Sequence, residues 1–453
     1  MKKLLSTVSA AAFMAVAISQ PAFADSASDV AQLQKQVELL QQQVERLSSL
    51  VEKQSGKIAE QEKSISKVAS SSAATKIDNV KISMAPSPKI SSTDGRYEFQ
   101  PFGRVHLDYA FFDDDKKDHG DNANFRRARL GFKGKVDEDW KYTFEMDFAK
   151  EDVAFKDISV KYTGLDFADF QVGHFKPYFG MDENQSSNYI QFLERASVSN
   201  AFARDEEIGA GFRSGHDNWS VAAGVWNEDG GTDSSATDDE AWTIDGRATF
   251  APLNEKGRVV HLGAGGSYRV PNAGSDNVTF SSKVTGVGAN LITTSAITNV
   301  DSSQIYNLEA AGAFDSFAAQ AEYYIVDVNK QTGIDPSFGG WYAQASYLLT
   351  GETRPYDAKI GNFKRIKPSN PFSLKTGGTG AWELLGRVSN VDLNDQGAGV
   401  TGGELDDWTL GVNWYVNNNT RFMFNYINAD TDNNAVVADD DPQVFTIRAQ
   451  VDF

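Results

Sequence analysis

Trp140-Lys141-Tyr142-Thr143-Phe144-Glu145-Met146-Asp147-Phe148 decides the fold class. Trp140, Tyr142, Phe144, Met146 and Phe148 share one parity, and Lys141, Thr143, Glu145 and Asp147 share the other. A strict period of two belongs to an extended strand with one apolar and one polar face. The same alternation sets Ile158, Val160 and Tyr162 against Asp157, Ser159 and Lys161. It sets Trp242, Ile244, Ala248 and Phe250 against Thr243, Asp245, Arg247 and Thr249, and Phe445, Ile447, Ala449, Val451 and Phe453 against Thr446, Arg448, Gln450 and Asp452.

Working outward, such runs predict strands at 97–112, 124–135, 139–150, 154–164, 167–173, 207–214, 218–227 and 240–251. Eight more follow at 257–269, 304–314, 317–328, 339–350, 380–391, 405–416, 419–429 and 443–453. Sixteen is even, and most runs approach the ~9–11 residues that cross a bilayer as a tilted strand. Long or acidic gaps alternate in step with short turns such as 136–138, 165–166, 215–217, 315–316 and 417–418. The expected fold is therefore all-β, a 16-stranded antiparallel transmembrane barrel with external loops and periplasmic turns. A soluble β-sandwich would not keep that alternation in step across sixteen strands, and two packed soluble domains are the alternative. Trp140, Trp219, Trp242, Trp341, Trp382 and Trp408 are read as opening strands on the apolar parity, as an interfacial girdle does. Phe453 closes the chain on the apolar parity, like the insertion signal of outer-membrane proteins.

What precedes the barrel reads differently. Met1-Lys2-Lys3, an apolar run from Leu4 to Ile18 and Ala22-Phe23-Ala24 form a signal peptide over 1–24, whose removal takes the net charge from −19 to −21. Val30, Leu33, Val37, Leu40, Val44, Leu47 and Val51 form a heptad seam, so 25–69 is expected to be a periplasmic coiled coil. A single amphipathic helix on the barrel mouth is the alternative. Residues 70–95, small, polar and proline-containing, read as a linker to a barrel domain at 96–453.

Charge and composition exclude several functions. The 453 residues carry 62 Asp+Glu against 43 Lys+Arg and no cysteine. Thiol chemistry and Cys-ligated zinc are excluded, and nucleic acid is not an expected partner. Four predicted external loops, 113–124, 227–241, 392–407 and 428–443, sum to −19. Their acidity belongs to the cell surface, solvated or bridging divalent cations beside lipopolysaccharide, and they show no EF-hand spacing. The lumenal parity is mixed: Arg104, Arg127, Arg129, Arg247, Arg387, Arg421, Arg448, Lys141 and Lys161 face Asp108, Glu145, Asp147, Asp157, Asp245, Glu309, Glu322 and Glu383. Two gaps are oversized. Gap 174–206 carries Lys176, Arg195 and Arg204 and is expected to narrow the pore. Gap 351–379, a periplasmic turn by its order, holds Arg354, Lys359, Lys364, Arg365, Lys367 and Lys375 for a net +4, and can fold inward to attract anions.

From Arg96 to Phe453 the chain resembles the phosphate-selective porin O/P family. The resemblance rests on GRVHLDY (103–109), FRRARLGF (125–132), DWKYTFEMDF (139–148), SSNYIQFLERA (186–196) and FAPLNEKGRVVHLG (250–263). LTGETRPY (349–356), IKP (366–368), GAWELLGR (380–387) and LGVNWY (410–415) extend it. It implies a trimeric 16-stranded porin whose third external loop and one periplasmic turn enter the pore. It also implies that Arg104, Arg126 and Arg127 line an anion-binding constriction, where Arg129 joins them from the lumenal parity. Alternation alone places Arg126 on the lipid parity. Arg247, Arg387, Lys364, Arg365, Lys367 and Asn188 are expected as secondary pore-lining residues. Asn188 stands where phosphate-specific members carry a loop lysine, and loop 270–303 offers Lys283 where they carry an arginine ladder.

The expected function is passive diffusion of small anionic or polar solutes through an arginine-lined constriction, with outer-membrane lipid and lipopolysaccharide around the barrel. The coiled coil would reach peptidoglycan or another periplasmic partner. No cofactor or metal is implied. A general or cation-preferring porin is one alternative, and a structural envelope tether is another. An enzyme finds no support: His106, His119, His174, His216 and His261 match no nucleophile–base spacing, and G-x-S-x-G, H-E-x-x-H and Walker motifs are absent.

Overall fold

The computed structural model describes residues 79–453 apart from 85–86, 114, 151, 228–240, 273 and 275, together with twelve scattered positions between 35 and 56. The predicted signal peptide, most of the predicted coiled coil and the acidic stretch 228–240 lie outside the described residues. The scattered positions, among them Leu39, Val44 and Val51, are helical and exposed. They belong to a unit ending at Asp78, separate from the unit Asn79–Phe453.

Sixteen strands form the barrel. In order they are β1 (Glu98–Asp113), β2 (Asn122–Val136), β3 (Trp140–Asp147), β4 (Ala154–Tyr162), β5 (Asp169–Phe175), β6 (Glu207–Gly215), β7 (Trp219–Asn227) and β8 (Trp242–Glu255). They continue with β9 (Arg258–Val270), β10 (Val300–Phe314), β11 (Phe317–Lys330), β12 (Ser337–Leu348), β13 (Ala381–Asp395), β14 (Val400–Tyr415), β15 (Thr420–Asn434) and β16 (Gln443–Asp452). Each pairs antiparallel with its neighbours, and β16 returns to β1 with Asp452 opposite Arg104, so no edge remains within the barrel. The tight turns use residues that tolerate positive φ: Asp315 (φ 52°) between β10 and β11, and Gly257 (φ 78°) between β8 and β9.

Alternation decides which side faces in. On β8, Thr243, Asp245, Arg247 and Thr249 are buried, whereas Trp242, Ile244 and Phe250 are exposed outward. The same inversion of the usual inside–outside rule runs round the barrel, as a lipid-facing wall requires. Three of the six tryptophans expected to open strands do so at the first residue (Trp140, Trp219, Trp242) and Trp382 at the second. Trp341 sits five residues into β12 and Trp408 at the middle of β14, because these strands run further toward the long-loop end than the alternation reveals.

Two further departures matter. The segment read as a linker contains a hairpin, Val80–Ser83 against Lys89–Ser92, which pairs with β1 through Ile90 and Phe99. Four-residue strands give too short a period-two signal to stand out against a small, polar composition. The interior, in turn, is not uniformly wet. Inward residues near the long-loop end of β10–β16 are apolar, including Ile305, Val326, Val328, Phe338, Leu405 and Val444. They pack against two loops folded into the lumen. One, between β5 and β6, contributes the short helices α1 (Met181–Asn184) and α2 (Ser197–Phe202). The other, between β9 and β10, contributes Phe280, Val284, Val287, Leu291 and Ile292 and a two-residue pairing of Ser281–Ser282 with Ile292–Thr293. The β5–β6 insertion was expected from its length, but the β9–β10 insertion was not.

Candidate functional site

Two β-bulges shape the charged wall. Between β1 and β2 the register steps from His106 opposite Arg127 to Leu107 opposite Phe125, leaving Arg126 as the extra residue. A bulge re-aims a side chain that alternation would send outward. Arg126 accordingly turns inward and donates from Nε and Nη2 to Glu194 at 3.0 Å each. Between β3 and β4 the register steps from Phe144 opposite Ile158 to Met146 opposite Phe155. There Lys156, on the lipid parity by simple alternation, reaches inward to Asp205 at 2.5 Å and Glu206 at 3.1 Å.

The β5–β6 insertion hangs from the far wall by its own backbone. Arg421 Nη1 donates to the Ile190 carbonyl at 2.8 Å, Arg387 Nη1 to Glu194 at 2.9 Å, and Asn413 Nδ2 to Gln191 at 2.8 Å. Arg448 holds the Leu193 carbonyl, and Asn425 Oδ1 accepts from Leu193 N at 2.9 Å. Irregular backbone inside a barrel has carbonyls that no ladder satisfies, and multidentate guanidinium groups supply the donors. At the start of the insertion Glu322 accepts from Met181 N at 2.7 Å and Asp182 N at 2.9 Å.

The insertion between β12 and β13 enters from the short-turn end. Arg354 pairs with Glu383, both buried. Arg247 makes a bidentate pair with Glu309 at 2.7 Å and donates to the carbonyls of Ile360 and Gly361 at 2.9 Å. His261 joins Tyr356 to Glu309 at 2.6 and 3.0 Å.

These contacts show what each residue of the expected secondary pore-lining set touches. Arg247 is spent on Glu309 and the inserted turn, and Arg387 lies over the Phe192 ring at 4.6 Å while holding the Glu194 carbonyl. Lys364 pairs with Asp357, and Arg365 pairs with Asp452 above the Tyr189 ring. Lys367 is exposed and off the cavity. Asn188 is not among the residues lining the cavity, and its Oδ1 lies 3.2 Å from Nε2 of the buried His106. Parity correctly placed Arg247 and Arg387 inward but could not show that inserted segments would consume their donors.

The primary quartet converges. Arg104, Arg126, Arg127 and Arg129 all line one cavity of about 490 Å³ between β1–β4 and the β5–β6 insertion. Nine basic and seven acidic side chains surround it. Arg104 is paired with Glu145 at 2.7 Å and bonds Ser187 at 2.9 Å. Arg129 is paired with Asp147 at 2.9 Å and Glu145 at 3.3 Å. Arg127 differs: it is 3% exposed, its Nε and Nη1 have no hydrogen-bond partner, and its nearest carboxylate, Glu194, is 3.8 Å away. Burial would push the Glu194 carboxyl up, but Arg126, Arg127 and Arg448 together hold it well below the usual range. On the insertion, burial pushes the Lys176 ammonium down, aided by Arg195 and opposed by Glu183. Lys150, Lys156 and Glu194 were missed: the first two flank a loop with no motif, and Glu194 gains its meaning only when three distant strands meet it. Among the described residues, no group of three His, Asp or Glu could hold a metal ion.

A cavity lined by arginine inside a closed 16-stranded barrel can be compared with known proteins. The family model described as phosphate-selective porin O and P matches residues 99–453. Porin O of Pseudomonas aeruginosa is 29% identical over 412 residues, spanning 81% of this chain and 90% of that protein. An uncharacterized protein of Caulobacter vibrioides is 30% identical over 378 residues, spanning 80% of this chain and 74% of that protein. Among solved structures, the trimer form of OmpT, an outer membrane protein of Vibrio cholerae, matches with a TM-score of 0.52 over 79% of this chain and 100% of that chain. At 12% identity this likeness is one of fold. The chain belongs to the phosphate-selective porin O and P family, and it is a channel of the Gram-negative outer membrane rather than an enzyme.

Proposed function

We propose that this porin prefers small oxyanions, phosphate among them, and that Arg127 is the group they meet at the constriction. The observation that carries the reading is its buried guanidinium with two donor atoms unpartnered at the wall of a charged cavity. A buried donor without a partner costs about 1–3 kcal/mol, more when charged, and a passing anion recovers part of that. Arg104, Arg126 and Arg129 keep the potential positive but are already paired. Binding has to stay weak for exit, and one open guanidinium amid seven carboxylates provides weak binding.

The test is the reversal potential of the purified protein in a planar bilayer under a KCl gradient, with phosphate titrated as blocker. Reversal on the chloride side is expected, and Arg127→Ala should weaken phosphate block about tenfold or more, as losing one charge-assisted contact does. Reversal on the potassium side would mean that the lumenal carboxylates govern a cation-preferring pore, and this reading would fall.

The same proposal covers assembly. A homotrimer is supported by the trimer form of the OmpT relative and by a low barrel wall at β3–β7, where strands have 7–9 residues against 10–16 elsewhere. The acidic external loops would meet lipopolysaccharide. The segment 25–69 would form a coiled coil reaching peptidoglycan or a periplasmic partner as an accessory to the channel. Removing residues 25–78 should leave single-channel conductance unchanged. A closed or absent channel in that variant would make the stalk part of the pore.

A further inference from the structure

One carboxylate already occupies the place that a solute anion needs. Glu194, buried on the β5–β6 insertion, sits where three guanidinium groups converge. Arg126 grips both of its oxygens at 3.0 Å, Arg448 Nη2 donates to Oε1 at 2.7 Å, and Arg127 Nη1 is 3.8 Å from Oε1. Arg448 is separately neutralised by Asp108 through two bonds of 2.6 Å. Among the described residues, Arg126 and Arg127 have no other carboxylate within ion-pair distance. A single carboxylate therefore serves two cations, and Arg126 holds it in the fork geometry with which arginine takes up phosphate or carboxylate ligands.

The β9–β10 insertion closes this seat from the other side. A Cβ on Gly286 would stand 2.7 Å from Cδ and Nε of Arg126 and 3.0 Å from Oε1 of Glu194, so a side chain there would have to push the pair aside. On its open side the pair Arg126 and Arg127 borders the charged cavity, from which a solute anion would approach.

We propose that Glu194 is a specificity-determining residue acting as a tethered competing anion, which passing solute anions must partly displace from Arg127 and Arg126. The inference rests on the anion-preferring reading above. A ligand built into the chain competes at a high effective concentration, of millimolar order or above for short tethers. It raises the apparent dissociation constant of any solute and shortens its stay, which favours flux over capture. Because its three arginines keep Glu194 ionised despite burial, it is a permanent occupant and not a pH switch.

The experiment compares the full-length protein with Glu194→Gln and Glu194→Asp in planar bilayers, using inorganic phosphate as blocker under a KCl gradient. Glu194→Gln should tighten phosphate block about tenfold, lengthen each blocking event and raise the chloride-to-potassium permeability ratio. Glu194→Asp, which draws the carboxylate back by one methylene, should tighten block a few-fold; if Glu194→Gln yields no channels, this variant carries the test. A structural role alone would weaken block or leave it unchanged. Either result in a wild-type background that is anion-selective overturns this proposal while leaving the proposed function standing. A cation-selective wild type overturns both.

Discussion

Asp440 is the residue on which the outer rim closes. Its carboxylate, buried in the loop after β15, accepts from His119 at 2.6 Å and from the backbone N–H groups of Lys116 and Lys117 at 2.8 and 3.3 Å. It thereby clasps the loop after β1 across the seam where β16 meets β1. Burial pushes this carboxyl up, but the His119 bond and the two N–H donors outweigh burial and hold it below the ordinary range. A carboxyl depressed on folding adds stability that is complete above its unfolded pKa, about 3.9 for Asp, and is lost as pH falls through the folded value. The clasp should therefore hold through mildly acidic conditions and release only below about pH 4. Hydrogen exchange over 113–121 and 435–442 should show Asp440→Asn exchanging fast at neutral pH and the wild type joining it only in strong acid. Equal protection in both proteins at neutral pH would remove Asp440 from this role. At this scale the sequence was legible wherever strict alternation held. Arg104, Arg127 and Arg129 were placed in the lumen by parity alone. Arg126 and Lys156 were not, because a bulge is one inserted residue whose position alternation cannot mark.

Elements were legible in proportion to the length of their pattern. All sixteen barrel strands stand where periodicity put them, and the β5–β6 and β12–β13 insertions were foreseen from their size. The β9–β10 insertion was not foreseen, because its length matches an external loop and its apolar residues follow no strand or helix period. Phe280, Val284, Val287, Leu291, Ile292 and Ile297 form a run that a solvated surface loop would not carry, and that was the available signal. Phe280 is its anchor, with ring centroids 5.7 Å from Phe202 and 5.6 Å from Phe338. Phe280→Ala removes a buried aromatic, a loss of about 3–5 kcal/mol. Because the barrel wall has its own hydrogen-bonded ladder, that loss should fall on the insertion and leave the barrel folded. Single-channel conductance should rise and become noisier, while heat-modifiable migration of the barrel on a gel stays unchanged. Unaltered conductance would show that the insertion is held by other contacts.

At the scale of the whole molecule the wall is uneven, and the unevenness has a physical consequence. A strand of 7–9 residues rising ~3.3 Å per residue at a tilt near 45° climbs about 16–21 Å, short of the ~25 Å apolar band of an outer-membrane barrel. Strands β3–β7 are all of that length, and their outer face is apolar and uncharged at Phe170, Val172, Ile208, Phe212, Val221 and Val225. An apolar wall too low for lipid is covered at least cost by the same wall of another copy, with the taller strands β8–β15 left to the bilayer. Lipid-facing positions are the comparison, since a cation at the midplane of a barrel exterior costs about 2–4 kcal/mol wherever it meets hydrocarbon. Val225→Arg on β7 should therefore dissociate the oligomer in native mass spectrometry. Leu308→Arg on β10, equally apolar in sequence and 58% exposed, should lower folding yield but leave the oligomer that does form intact. If Leu308→Arg dissociates it and Val225→Arg does not, the interface lies on the tall wall and strand length is no guide to it. The exposed apolar parity that made the barrel legible is common to both faces, so periodicity could not have separated them; strand length separates them only through its match to membrane thickness.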